Sequence, residues 1–186
     1  ARHDLGDGRG RRKQIELLQK LGESDRVKAV ILAVNSPGGT TTGGESLYEA
    51  IQALKAKKPV IAVCGTMATS AAYMISLATD RIVVRGNTII GRQDARMSER
   101  GNGFYVWNAP GTVIEGNAVR YGRDGIFANT SKKNVFRNNL FRDLRFAVHY
   151  MYTHNSEVSG NISIGNHLGM AIMYSNRVQV TGNLSL

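Results

Sequence analysis

Two different hydrophobic rhythms divide the chain. From Lys13 the apolar positions Ile15, Leu17, Leu18 and Leu21 keep helical spacing and stop at Gly22, a residue suited to ending a helix. Val27 to Asn35, VKAVILAVN, is a nearly continuous β-branched and aliphatic run. Such a run fits a strand covered on both faces, as in parallel sheets. SPGGTTTGG then breaks the chain, a helix is predicted through Glu45 to Lys57, and PVIAVCG reads as a second buried strand. ATSAAYMISLATD predicts a small-residue helix and RIVVRG a third strand. Alternation of strand and helix predicts right-handed βαβ units over a parallel sheet, so residues 1–91 read as an α/β unit.

After that the chain repeats. Asn117, Asn139, Asn161 and Asn183 recur every 22 residues, as do Gly103, Gly125, Ala147 and Gly169. Apolar columns share the interval: Phe104, Ile126, Val148, Met170; Val106, Ala128, Tyr150, Ile172; Ile114, Phe136, Val158, Val180; and Ala118, Leu140, Ile162, Leu184. A fixed period near this length, with short strands and asparagine at the turns, predicts a right-handed parallel β-helix of about four coils over residues 102–186. The asparagines are expected to form an amide ladder that satisfies turn backbone. Residues 92–101 read as a junction.

Composition narrows this picture little. The net charge of +10 divides evenly, with 13 basic and 8 acidic residues up to Gly91 and 11 and 6 after it. An excess spread in this way argues for a cationic surface and against a nucleic-acid groove. The single cysteine, Cys64, excludes an internal disulfide and reads as a small buried hydrophobe. No run approaches the ~20 apolar residues that cross a bilayer. The chain opens on ARHDLGDGRGRRK without an initiator Met, which suggests a fragment or a processed product.

The chemistry of the first half lies at two junctions. Ser36-Pro37-Gly38-Gly39 follows a strand, where glycines let backbone N–H groups face a ligand. Ser70 opens the small-residue helix, so a hydroxyl and a glycine-built donor come in the order acyl transfer needs. With these residues, the stretch from about Lys13 to Gly91 resembles the signal peptide peptidase A family of membrane-associated serine proteases, most closely over residues 27–91. The resemblance implies a partial ClpP/crotonase-like spiral α/β fold, Ser70 as nucleophile, Gly39 and Ala71 as backbone oxyanion donors, and a peptide substrate. It also implies a lysine as base, some tens of residues beyond the serine. Lys132 and Lys133 are the only lysines after Ser70, and they read as solvated loop charges. The catalytic pair is therefore expected to be incomplete.

In the second half, Val148 and Tyr150 belong to inward columns, which turns His149 and Met151 outward, and Met173 falls in the Met151 column one coil later. Imidazole and thioether together suit copper, with methionine favouring Cu(I), so His149, Met151 and Met173 are candidate metal ligands. A strip that is simply packed or covered by a partner remains the alternative. His154 and His167 could complete the site only if their turns fold back over it. The segment covering about residues 92–186, with YGRDGIF and RDLRFAVHYMYT, resembles NosD, a periplasmic β-helix family needed to mature the copper centres of nitrous-oxide reductase. That resemblance implies copper as cargo, a periplasmic location, and partners among an ABC transporter and copper-chaperone components; a homo-oligomer is also compatible. No pair of carboxylates recurs on one exposed strip as glycoside hydrolysis requires.

The chain thus reads as a join near Gly91 of two unrelated coding segments. Three functions follow from that: a β-helix accessory protein with an inert α/β appendage, a Ser/Lys-type peptidase with a β-helix extension, or a chimeric product without an evolved function.

Overall fold

The computed structural model describes residues 8–68 and 70–186. These fall into two compact units, divided between Val83 and Val84. Most of the opening stretch before Gly8, and Thr69 beside the candidate nucleophile, lie outside the described residues. No helix among those described is long and apolar enough to cross a membrane.

The first unit runs α1 (Gly8–Glu23), β1 (Val30–Ser36), α2 (Thr41–Lys55), β2 (Val60–Ala68), α3 (Ala71–Leu77) and then β3 (Arg81–Arg85), which spans the division. Helix α1 begins five residues ahead of the apolar pattern and takes in the basic run. Helix α2 also starts early. Thr40 caps it, its Oγ1 accepting from the Gly43 N–H at 3.2 Å, so the Thr-Thr-Gly-Gly run that looks like a break is helix. Gly43 and Gly44 are kept for packing: a Cβ on Gly44 would stand 2.5 Å from Met74 Cε and 3.0 Å from Ala71 Cβ of α3. Strands β1 and β2 pair in parallel from Val30 opposite Val60 to Val34 opposite Cys64, as the buried runs predict. Leu18, Leu47, Ile51 and Leu54 of the helices close over Val30 and Val60. Cys64 is buried, 3.6 Å from Ser76 Oγ, and burial pushes its thiol up.

The second unit is a parallel β-helix. Its strands are β4 (Thr88–Ile90), β5 (Phe104–Trp107), β6 (Val113–Glu115), β7 (Ala118–Arg120), β8 (Asp124–Asn129), β9 (Val135–Arg137), β10 (Leu140–Arg142) and β11 (Phe146–Met151). They continue with β12 (Ser156–Ser159), β13 (Ile162–Ile164), β14 (Leu168–Met173), β15 (Val178–Thr181) and β16 (Leu184–Ser185). One sheet stacks β16-β13-β10-β7-β4 and another β14-β11-β8-β5, while β6, β9, β12 and β15 stack on a third side. Leu140 pairs with Ile162 and Val148 with Met170, the 22-residue step written in backbone hydrogen bonds.

The interior follows the columns with one exchange. Ile114, Phe136, Val158, Ile126, Val148, Ala128 and Tyr150 form a buried core. The Leu140, Ile162 and Leu184 column faces solvent, and Val119 and Phe141, one position later, point inward. Burial pushes the phenol of Tyr150 far above its ordinary range.

The asparagine ladder is built as expected and is one rung longer. Asn117 Oδ1 accepts from the Asn87 N–H and Nδ2, Asn139 Oδ1 from those of Asn117, Asn161 Oδ1 from those of Asn139, and Asn183 Oδ1 from those of Asn161, all at 2.9–3.0 Å. Asn87 stands 30 residues before Asn117, so the first coil is enlarged and the 22-residue interval hides this rung. Strand β4 then pairs with β7, Thr88 opposite Ala118. The β-helix therefore begins ahead of the expected boundary at Gly91, and the junction at 92–101 is an excursion of its first coil, with a short 3-10 helix at Met97–Glu99.

Candidate functional site

In the first unit the register of β1 and β2 slips after Val34, so that Ser36 comes opposite Ala68. Because the strands are parallel, the Ser36–Gly39 loop and the Ser70 turn leave from the same end of the pair. Ser36 Oγ accepts from the Gly38 N–H at 3.2 Å and holds the loop, and Gly38 takes φ 116°, which suits glycine alone. Gly39 and Ala71, the two expected oxyanion donors, line one cavity of about 10 Å³ with Arg11, Thr40, Gly43, Gly44, Leu47 and Ile75. Ser70 is exposed and has φ 54° and ψ −124°, a conformation side chains rarely take. A serine held in strained backbone between a strand and a helix is the geometry of a nucleophile elbow.

The strain is testable by substitution. Strain of this kind costs about 1–3 kcal/mol, and glycine relieves it while giving back about 0.5–1 kcal/mol of unfolded-state entropy. Ser70→Gly is expected to be more stable than wild type by about 1 kcal/mol in urea titration, and Ser70→Ala to match wild type. A glycine variant no more stable than the alanine variant would mean that the backbone is not strained there.

The base is another matter. Lys55 Nζ donates to Thr79 O at 3.3 Å, and Lys58 Nζ to the carbonyls of Ser24 and Val27, each tying a strand or helix end. Lys132 and Lys133 lie exposed in a turn of the β-helix, where Lys133 donates its N–H to His154 O.

On the β-helix, Met151 and Met173 are register partners on β11 and β14, the first half-buried and the second 43% exposed. His149 alternates with the core residues Val148 and Tyr150, as the spacing predicts, but the face it turns outward is covered by its neighbours. His149 is 8% exposed, its ring stacked on Phe127 at 4.7 Å between centroids and met edge-on by Phe146 at 5.2 Å. Its Nδ1 lies 3.0 Å from Oδ2 of Asp124, and its Nε2 is buried with no hydrogen-bond partner. Asp124 is 1% exposed and is gripped by the guanidinium of Arg145, Nε to Oδ1 at 2.8 Å and an Nη to Oδ2 at 2.6 Å. Arg145 also lies over the Phe146 ring at 4.4 Å. His154 does not fold back over the strip: its Nδ1 accepts from the Asn176 N–H at 3.0 Å and serves its own turn. His167 is exposed. Among the described residues, no three His, Cys, Asp or Glu side chains converge.

Residues 81–186, more than half of the chain, match the family described as Periplasmic copper-binding protein (NosD). The chain belongs to the NosD family. Ahead of that match, and overlapping its start, residues 52–93 match Peptidase family S49. The first half of this NosD-family chain is similar to a protease of Methanocaldococcus jannaschii, 38% identical over 101 residues, 51% of this chain and 32% of that protein. It is also similar to Protease 4 of Haemophilus influenzae, 45% identical over 76 residues, 40% of this chain and 12% of that protein. Serine protease SPPA of Arabidopsis thaliana chloroplasts is 34% identical over 77 residues, 41% of this chain and 11% of its own. The chain thus spans a third or less of each protease it matches.

For a NosD-family chain the donor set suits copper in kind. An imidazole nitrogen left unpaired in an apolar setting, on the same strand as Met151 and one coil from Met173, offers the soft ligands Cu(I) prefers. Asp124 and Arg145 escaped the sequence reading. Asp124 lies one coil and three residues before His149, a step of 25, and only the knowledge that coils stack in register would have paired them.

Proposed function

We propose that this protein is an accessory factor of copper-centre maturation, carrying Cu(I) as cargo on its β-helix, and that it turns over no peptide. His149 Nε2 with the thioethers of Met151 and Met173 would hold the ion. The observation that carries the reading is an unpartnered, buried Nε2 on the same strand as Met151, whose register partner is Met173, in a family described as periplasmic and copper-binding. A soft site with one imidazole and two thioethers binds modestly, which suits a protein that must release what it carries. A periplasmic location, and work beside an ABC transporter, copper chaperones and nitrous-oxide reductase, belong to the same proposal.

An anaerobic competitive titration with a chromophoric Cu(I) chelator tests it. His149→Ala, Met151→Ala and Met173→Ala are each expected to weaken binding by about tenfold or more, the scale on which groups around a metal count. Equal binding by all three variants and wild type would remove the site.

One observation favours a second reading. The strained Ser70, with Gly39 and Ala71 nearby on one cavity, is the furniture of a serine peptidase. Labelling of Ser70 by a fluorophosphonate, followed by turnover of an apolar peptide ester, separates that reading from the first.

A further inference from the structure

We propose that Asp124, clamped by Arg145, is a positioning residue that fixes the tautomer of His149, so that Nε2 presents a lone pair to an incoming soft cation. The consequence for binding rests on the Cu(I) reading above; the tautomer itself does not.

The chemistry follows from donors and acceptors. A neutral imidazole has one N–H and one lone pair, and which nitrogen carries the proton is set by the hydrogen bond the other atom makes. Arg145 spends two donors on Asp124, one on each oxygen, which keeps the carboxylate an acceptor although it is 1% exposed. Oδ2 therefore accepts from Nδ1–H across 3.0 Å. An Arg145 Nη also lies 3.4 Å from Nδ1, but it can only donate; the shorter approach of the carboxylate decides the proton's place.

Nε2 is then left as the lone-pair nitrogen. A proton there would be a buried donor facing nothing, which costs about 1–3 kcal/mol. A carboxylate behind a histidine orients the ring and makes its far nitrogen a better ligand. The stacking on Phe127 fixes the ring plane, and Arg145 lying over Phe146 ties that second ring to the same clamp. Asp124, Arg145, Phe127, Phe146 and His149 thus form one unit spread over two adjacent coils, with a single unsatisfied atom.

The test uses the whole chain with ¹⁵N-labelled histidine, free of metal, in a long-range proton–nitrogen NMR experiment, together with the Cu(I) competition. Wild-type His149 is expected to show protonated Nδ1 and bare Nε2. Asp124→Asn, whose side chain can offer an N–H to Nδ1, is expected to shift the proton to Nε2 and weaken Cu(I) by about 10–100-fold. Arg145→Lys, which keeps a cation without the fork, is expected to fall between them. Circular dichroism confirms that each variant is folded.

A folded Asp124→Asn with wild-type tautomer or wild-type affinity overturns the proposal. So does a wild-type spectrum with Nε2 protonated, and that result is available even if neither variant folds. A wild type that shows the expected tautomer but no Cu(I) binding would sink the copper reading and leave Asp124 as the residue that sets the ring.

Discussion

Asn139→Ala is expected to cost the β-helix about 3–5 kcal/mol, measured by urea unfolding followed by far-ultraviolet circular dichroism. Asn139 is 1% exposed, and four hydrogen bonds of 2.9–3.0 Å run through its side chain: Oδ1 accepts from Asn117 N–H and Nδ2, and Nδ2 donates to Ile114 O and Asn161 Oδ1. Truncation strands the Asn117 N–H in a dry turn and takes a donor from the Ile114 carbonyl. Each orphaned group costs about 1–3 kcal/mol, which sums to a large share of the ~5–15 kcal/mol that holds a typical domain folded. Asn183 supplies the contrast, being half-buried on the last rung, so Asn183→Ala is expected to cost less than half as much. A loss under about 1 kcal/mol at Asn139 would show that water enters the turn and serves in place of the amide.

The second large effect is kinetic. Hydrolysis of apolar peptide esters is expected to run about 10²–10⁴-fold slower than in a serine enzyme with its base in place, and Ser70→Ala is expected to match wild type. The expectation rests on the base more than on the elbow. Backbone N–H groups can stabilise charge that develops on substrate oxygen, yet a neutral hydroxyl must still lose its proton as it attacks. Lys55 and Lys58 hold backbone carbonyls, Lys57 is paired with the Glu23 carboxylate, and Lys132 and Lys133 lie exposed in a turn. Burial is what turns a lysine into a base. Steady turnover that disappears in Ser70→Ala would point to a base of another kind.

The parts that were legible in the sequence are those governed by period. Leu18, Ile51, Phe136 and Val158 fall in the core their spacing assigns, because burial of one face is the main source of periodicity. Asn117 to Asn183 form the ladder because identical side chains one coil apart can satisfy one another. What escaped depends on local or cross-coil detail. The start of α2 is hidden by two glycines that resemble a loop, one of them, Gly44, packed against α3. Asn87 was hidden because its coil is longer than the rest. The outward direction of His149 is legible from alternation, while its cover is not. Alternation gives a direction but says nothing of what rings and ion pairs from the neighbouring coil lie over it. Asp124, the lone acid in a column with Phe146 and Leu168, carries no signal until that register is known.

The stretch from Arg81 to Gln93 matches both families at once. It holds a short β-branched strand, a left-handed glycine at Gly86, an asparagine rung and a second short strand. The two short strands are components that a parallel α/β sheet and a parallel solenoid request in the same local form. Two genes cut within such a stretch can be spliced without a spacer, because the reading frame of side chains, up and down along the strand, means the same thing in both parents. A boundary of this kind leaves no compositional scar, so hybrids of parallel architectures will tend to be invisible to any search for linkers.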